Sequence, residues 1–265
     1  MRRPLQNISY PDPLEGKIRE LDARAMTFAS AVEKPKVWVT LLVECSNNSQ
    51  PLALMTKPQL PRPLAQDAVP VVGIPLAVDG EHVRRVLRLD EFHHCCTGSV
   101  ASQFCSFQQK KDATKEWMAT HDEGQWSSIK KLGDVLIHDE QEYSRTWVPP
   151  ANDREEPVNL TFYYCALVLQ GHLFDVDARA ADPKPQPIRM GLLRRSVSWH
   201  REAHDYFIDV VTEPALPEYL DVLEKERDEI ARRVEADLAR FTREAQEEAR
   251  ERLRGMEHER MPGEG

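Results

Sequence analysis

No glycine-rich phosphate loop occurs in this chain. Its 11 glycines form neither GxxxxGK[ST] nor GxGxxG, so the common backbone cradles for nucleotide phosphates are missing. There is no GxSxG elbow either, which removes the usual serine nucleophile of the α/β-hydrolases. No apolar run approaches the roughly 20 residues that span a bilayer. Met1-Arg2-Arg3-Pro4 leads into no apolar segment of the secretory kind. The five cysteines (Cys45, Cys95, Cys96, Cys105 and Cys165) are odd in number and irregularly spaced, which argues against a disulfide framework. A reducing cytoplasm, with no membrane partner, is the expected setting. Positive charge is also scarce. The net charge is −9, and neither the residues before Pro217 nor those after it are net basic. Broad, sequence-independent binding of nucleic acid needs many Lys/Arg–phosphate contacts. Any such contact here must come from a local cleft, helped by bound cations.

What the chain does have is alternation. Residues 17–26 (KIRELDARAM) read as a strand, with Leu21, Ala23 and Ala25 on one face and Glu20, Asp22 and Arg24 on the other. Residues 37–45 (VWVTLLVEC) form a second. There Val37, Val39, Leu41, Val43 and Cys45 share one side, and Trp38, Thr40, Leu42, Glu44 and Ser46 the other. Asn47 to Pro51 is a turn by composition. Residues 52–56 read as the returning strand of a hairpin. Residues 57–75 are proline-rich and irregular. Helices are expected around 100–120 and 126–133, and a loop over 140–157. Residues 158–176 are the most apolar part of the chain and predict a central strand, a kink at Gly171 and a second short strand. After a break at 182–187, residues 188–197 and 206–211 predict edge or closing strands. From Glu218 to Arg254 there is no Gly or Pro, which predicts a long helix. Its apolar stripe runs through Leu223, Ile230, Val234, Leu238 and Phe241 in steps of three and four with one step of seven. The expected architecture is mixed α/β: a central mixed sheet flanked by helices over 1–216, then a charged C-terminal helix and tail over 217–265.

Asp22 and Glu44 fall on neighbouring strands. Two carboxylates plus waters suffice for Mg²⁺, which keeps several waters and needs few protein ligands. Such an ion polarises a phosphodiester and activates a water. Residue 46 shares the face of residue 44 and so reaches the same phosphate. With Tyr10-Pro11-Asp12, Lys17 to Asp22 and Leu41 to Cys45, the chain resembles the PD-(D/E)XK, or restriction-endonuclease-like, superfamily. In that family an Asp opens the site and Glu-Xaa-Lys follows on the next strand. The resemblance implies Asp22 and Glu44 as metal ligands, Mg²⁺ as cofactor and DNA or RNA as partner. The usual lysine position holds Ser46, which carries no positive charge. Candidates for a displaced lysine are Lys57, just past the returning strand, Lys36, and Lys110 or Lys111. Gln103 is a further candidate from the expected helix.

Other constellations point to structure more than to chemistry. His93-His94-Cys95-Cys96 and Cys105 have zinc-type side chains, but no CxxC pair, and buried cysteines explain them better. His200-Arg201-Glu202-Ala203-His204 has its acid one place too late for HExxH. Phe162, Tyr163 and Tyr164 sit in an apolar run and read as core instead of a base-stacking surface. Three functions remain: a metal-dependent nuclease using Asp22, Glu44, Ser46 and Lys57; a catalytically inactive relative of that fold that binds nucleic acid or protein; and an assembly protein that forms homo-oligomers through the C-terminal stripe, as a coiled-coil seam.

Overall fold

The computed structural model describes residues 5–12, 16–29, 36–47, 50–58, 68–74, 80–109, 116–120, 123–146, 159–199 and 202–238. Among these, twelve strands join in one mixed sheet. Its first half comprises β1 (Leu5–Pro11), β2 (Ile18–Ala29), β3 (Lys36–Ser46), β8 (Asn159–Leu169) and β12 (Glu202–Thr212). They lie in that order, β2 antiparallel to both neighbours and β3, β8 and β12 mutually parallel. The sheet continues through β11 (Met190–Trp199), β6 (Ser99–Gln109), β4 (Leu52–Pro58), β9 (Leu173–Asp177) and β10 (Gln186–Ile188). Two short strands stand off this path: β5 (Val71–Ile74) on β8, and β7 (Trp117–Thr120) on β6.

Helices cover both faces, so each face has its own apolar core. On one side, α2 (Glu123–Thr146) sets Ile129, Leu132 and Leu136 against Leu42, Tyr163, Cys165 and Ile208. On the other, α1 (Gly80–Leu87) and α3 (Leu216–Ala236) cover Val39, Leu41, Phe162, Tyr164 and Phe207. β8 lies between the two layers, which is why it is an unbroken apolar run instead of an alternating one. Proline in the first turn of α3 costs no hydrogen bond there. No helix among the described residues is long and apolar enough to cross a membrane.

Several expectations change. Where a helix is expected over 100–120, the described residues form two strands, Ser99–Gln109 and Trp117–Thr120; 110–115 lie outside the described residues. Val100, Ala101, Phe104 and Ser106 are buried along β6, whose partners β4 and β7 complete the pairing. β4 does not return along β3 as a hairpin; it pairs with β6 and β9, while β3 is flanked by β2 and β8. β12 is interior, between β8 and β11. The helix expected to stop at Gly133 continues to Thr146.

Gly133 is a packing residue. A Cβ there would overlap the hydroxyl and ring of Tyr206 on β12. Gly133→Ala is therefore expected to destabilise by about 1–3 kcal/mol, the range for overpacking, although alanine is the better helix former. Tyr206→Phe in the same chain should recover part of the loss. Chemical denaturation of the three proteins checks this.

Tyr219, Leu223, Glu226, Ile230 and Val234 on α3 are all buried against the sheet. The stripe expected to serve as a coiled-coil seam is thus spent within the chain as far as Val234, and Phe241 and the positions after it lie outside the described residues.

Candidate functional site

The carboxyl ends of β3, β8 and β12 lie together, where crevices of open α/β sheets collect ligands. Glu44 and Ser46 close β3 there. The β2–β3 register runs from Ala29–Val37 to Ala23–Val43 and stops. Just past its end, the Cys45 amide donates to the Asp22 carboxylate, Oδ2, at 2.7 Å. The side chain of Asp22 thus takes the place of the next main-chain acceptor and is held beside Glu44.

Glu44 does not face solvent, as simple alternation suggested. It shares a face with Thr40 and Leu42, and α2 covers that face, leaving Glu44 1% exposed. Burial pushes its carboxyl above the usual range. Lys131 and the Asp22 amide oppose this, and the Asp22 charge adds to it. Lys131 on α2 donates to Glu44 Oε2 at 3.0 Å. The other oxygen, Oε1, is buried without a hydrogen-bond partner. A buried carboxylate oxygen left unpaired is costly, and a cation or water removes that cost. An acid pair with an orphan oxygen is a donor set that suits Mg²⁺.

A second ionic group adjoins the first. Asp12, also 1% exposed, pairs with Arg19 Nε at 2.6 Å and lies 3.7 Å from Lys130 Nζ. Lys130 in turn pairs with Asp134 at 2.8 Å. Burial raises the Asp134 carboxyl, and Lys130 works against that rise. The Tyr10 hydroxyl donates weakly to the Lys131 carbonyl, at 3.4 Å.

The lysine candidates fall elsewhere. Lys57 on β4 is five strand spacings from β3, about 24 Å along the sheet, and does not meet Glu44. Lys36 begins β3, eight residues and roughly 26 Å from Glu44. Lys110 and Lys111 lie outside the described residues. Gln103 is on β6, opposite Met55. The main chain of Ser46 accepts from the Gln170 amide at 3.2 Å. Lys131 was missed because only the packing of α2 onto β3 brings positions 44 and 131 together.

On the opposite face lies another polar cluster. His94 Nδ1 is 2.9 Å from both Glu226 oxygens, and its Nε2 is 2.9 Å from Asp209 Oδ1. Tyr164 donates to Glu226 at 3.0 Å and Tyr219 to Asp209 at 2.7 Å. Burial works against the His94 charge, but Asp209 and Glu226 outweigh it and hold the imidazolium well above its ordinary range. Glu226 is driven down to about 2: burial opposes this, but the two histidines prevail. His93, buried, is lowered to about 4.

One donor atom each from His93, His94 and Cys95 lies within 4.8 Å of the others, the grouping of a metal site. Hydrogen bonding argues against that use. The Cys95 amide donates to His93 Nδ1 at 3.2 Å, which leaves the proton on Nε2 and no lone pair there for an ion. Both nitrogens of His94 are engaged by carboxylates. Burial pushes the Cys95 and Cys96 thiols up to about 12, so neither offers a thiolate readily. The cluster reads as a buried charge network.

No family model, no curated protein and no solved structure matches this chain.

Proposed function

We propose that the protein is a metal-dependent phosphodiesterase acting on DNA or RNA, with Asp22 and Glu44 as ligands of Mg²⁺ and Lys131 in the role that Ser46 cannot fill. The observation that carries this is the Lys131 ammonium 3.0 Å from Glu44, beside Asp22 at the carboxyl end of β3. Acid, acid and cation then stand together although the motif's own lysine position is Ser46. The orphan Oε1 of Glu44 supports an added cation.

When bound, Mg²⁺ supplies Lewis acidity to a phosphoryl oxygen and favours ionisation of a water. The chain's own groups do the rest. Asp22, fixed by the Cys45 amide, and Glu44, fixed by Lys131, hold their geometry before substrate arrives. Lys131 places fixed positive charge where the phosphoryl oxygens gain negative charge, and such preorganised charge is worth most in a partly dry site. In the net reaction a water oxygen bonds phosphorus, the P–O ester bond breaks, and the leaving oxygen takes up a proton.

Supercoiled plasmid, single-stranded DNA and RNA incubated with the protein and Mg²⁺ or Mn²⁺ test this. Cleavage should stop in EDTA and fall at least about 100-fold in Asp22→Ala, Glu44→Ala and Lys131→Ala. Cleavage that persists in Asp22→Ala removes the assignment. Absence of cleavage on all three substrates favours the second reading, a non-catalytic relative that binds nucleic acid or protein. Ser46 and the almost complete burial of Glu44 are the features that favour it.

A further inference from the structure

The sheet opens between β11 and β6. These parallel strands share a single pair, Leu193–Ala101, whereas β11 pairs with β12 from Met190 to Trp199 and β6 pairs with β4 along most of its length. In the gap lies a cavity of about 360 Å³ whose lining includes Lys57, Ser102, Arg194, Arg195 and Ser196. Three cationic residues from two strands and two serines thus line it, in a chain whose net charge is −9.

Their partners matter more than their number. Arg194 and the Ser196 hydroxyl are both bonded to Asp205. Lys57 is exposed and has no carboxylate partner among the described residues. Arg195 has none there either; it donates to the Ser102 carbonyl at 3.4 Å and stacks over Trp126, its guanidinium carbon 4.3 Å from the ring centroid. A guanidinium held flat by an aromatic face is preorganised to receive an oxyanion. One carboxylate against three cations leaves the opening with a surplus of positive charge, which phosphate oxygens can neutralise.

Trp126 links this opening to the site above. It lies on the first turns of α2, five residues before Lys131, which is about 7.5 Å of helix rise. We infer that the opening between β11 and β6 is a phosphate subsite for the nucleic-acid strand, with Lys57 and Arg195 as its phosphate-binding residues and Trp126 as the residue that positions Arg195. The strand as carrier of the phosphate rests on the proposed function; the affinity for phosphate does not.

Fluorescence anisotropy of a fluorescein-labelled 20-nucleotide single-stranded DNA in EDTA tests the subsite without cleavage. Lys57→Ala/Arg195→Ala is expected to weaken binding at least 10-fold and to flatten the dependence of log K on log salt by about 1–2. Trp126→Ala should weaken it less. Unchanged thermal melting shows that the variants fold; Arg195→Lys, which keeps the charge, should bind between wild type and the double variant. Equal affinity of wild type and double variant overturns the subsite, as does wild type that fails to bind while still cutting with Mg²⁺. Competition by inorganic phosphate or AMP as strong as by unlabelled oligonucleotide overturns the strand as its carrier. Lysine- and arginine-dependent binding by a protein that never cuts would sink the nuclease proposal and leave the subsite standing.

Discussion

Replacing His94 with alanine is expected to cost about 3–5 kcal/mol of folding stability, the range for removing one partner of a buried ion pair. The imidazolium is the cation between Asp209 and Glu226, and both carboxylates are nearly inaccessible. Without it, two anions remain in an apolar core, with Tyr164 and the main-chain amide of residue 94 as donors to Glu226 and Tyr219 as donor to Asp209. Glu226→Gln should cost less, because Asp209 still neutralises His94. A double-mutant cycle of the two substitutions should show strong coupling.

The same network sets the pH dependence. Glu226 falls from 4.5 to about 2 in the fold, so its contribution is present above 4.5 and disappears as pH falls towards 2. His93 falls from 6.5 to about 4. The unfolded chain therefore binds the extra proton between those values, and stability rises with pH across that interval. His94 is raised above 6.5; its contribution is complete below 6.5 and is lost as pH climbs through the raised value. The cluster's contribution is expected to peak near pH 6.5, and His94→Ala should abolish the decline on the alkaline side. Urea denaturation between pH 4 and 9 checks both points. A variant as stable as wild type at pH 6.5 contradicts the network.

Glu44→Gln should have the reverse character. Burial raises the Glu44 carboxyl, so the folded chain keeps a proton that the unfolded chain has lost. Stability therefore falls as pH rises from 4.5 through the raised value. The amide removes that cost, and Lys131, with 29% of its side chain exposed, can turn to water. In EDTA at pH 8 the variant is expected to be at least as stable as wild type. With Mg²⁺ at one hundred times its dissociation constant, wild type should gain about 2.7 kcal/mol and the variant nothing. The order of the two melting curves then reverses on adding metal. A functional group retained against stability has this signature.

How much of this was legible in the chain depends on which links are local. β2, β3, β8 and the start of α3 follow from period and composition, because alternation and helix-forming runs are local properties. The partners of β4 were not legible, since a hairpin and a long crossover leave the same local pattern. β6 reads as helix from its sequence because its small and polar residues (Ala101, Ser102, Gln103, Ser106) carry little strand signal; its pairing with β4, β7 and β11 decides its state. Asp22 and Glu44 could be selected from spacing, but Lys131 could not. Glu226 did leave a trace: the seven-residue step from Leu223 to Ile230 skips one buried position of α3, and Glu226 fills it. An acid inside an apolar stripe implies a buried cationic partner, and His94 is that partner.

Titration with Mn²⁺, followed by loss of the free-ion EPR signal, is the most direct test of the proposed metal centre. Wild type should bind one ion per chain, and Asp22→Asn/Glu44→Gln none. Identical stoichiometry in the two proteins, or no bound ion in wild type, contradicts the assignment of Asp22 and Glu44.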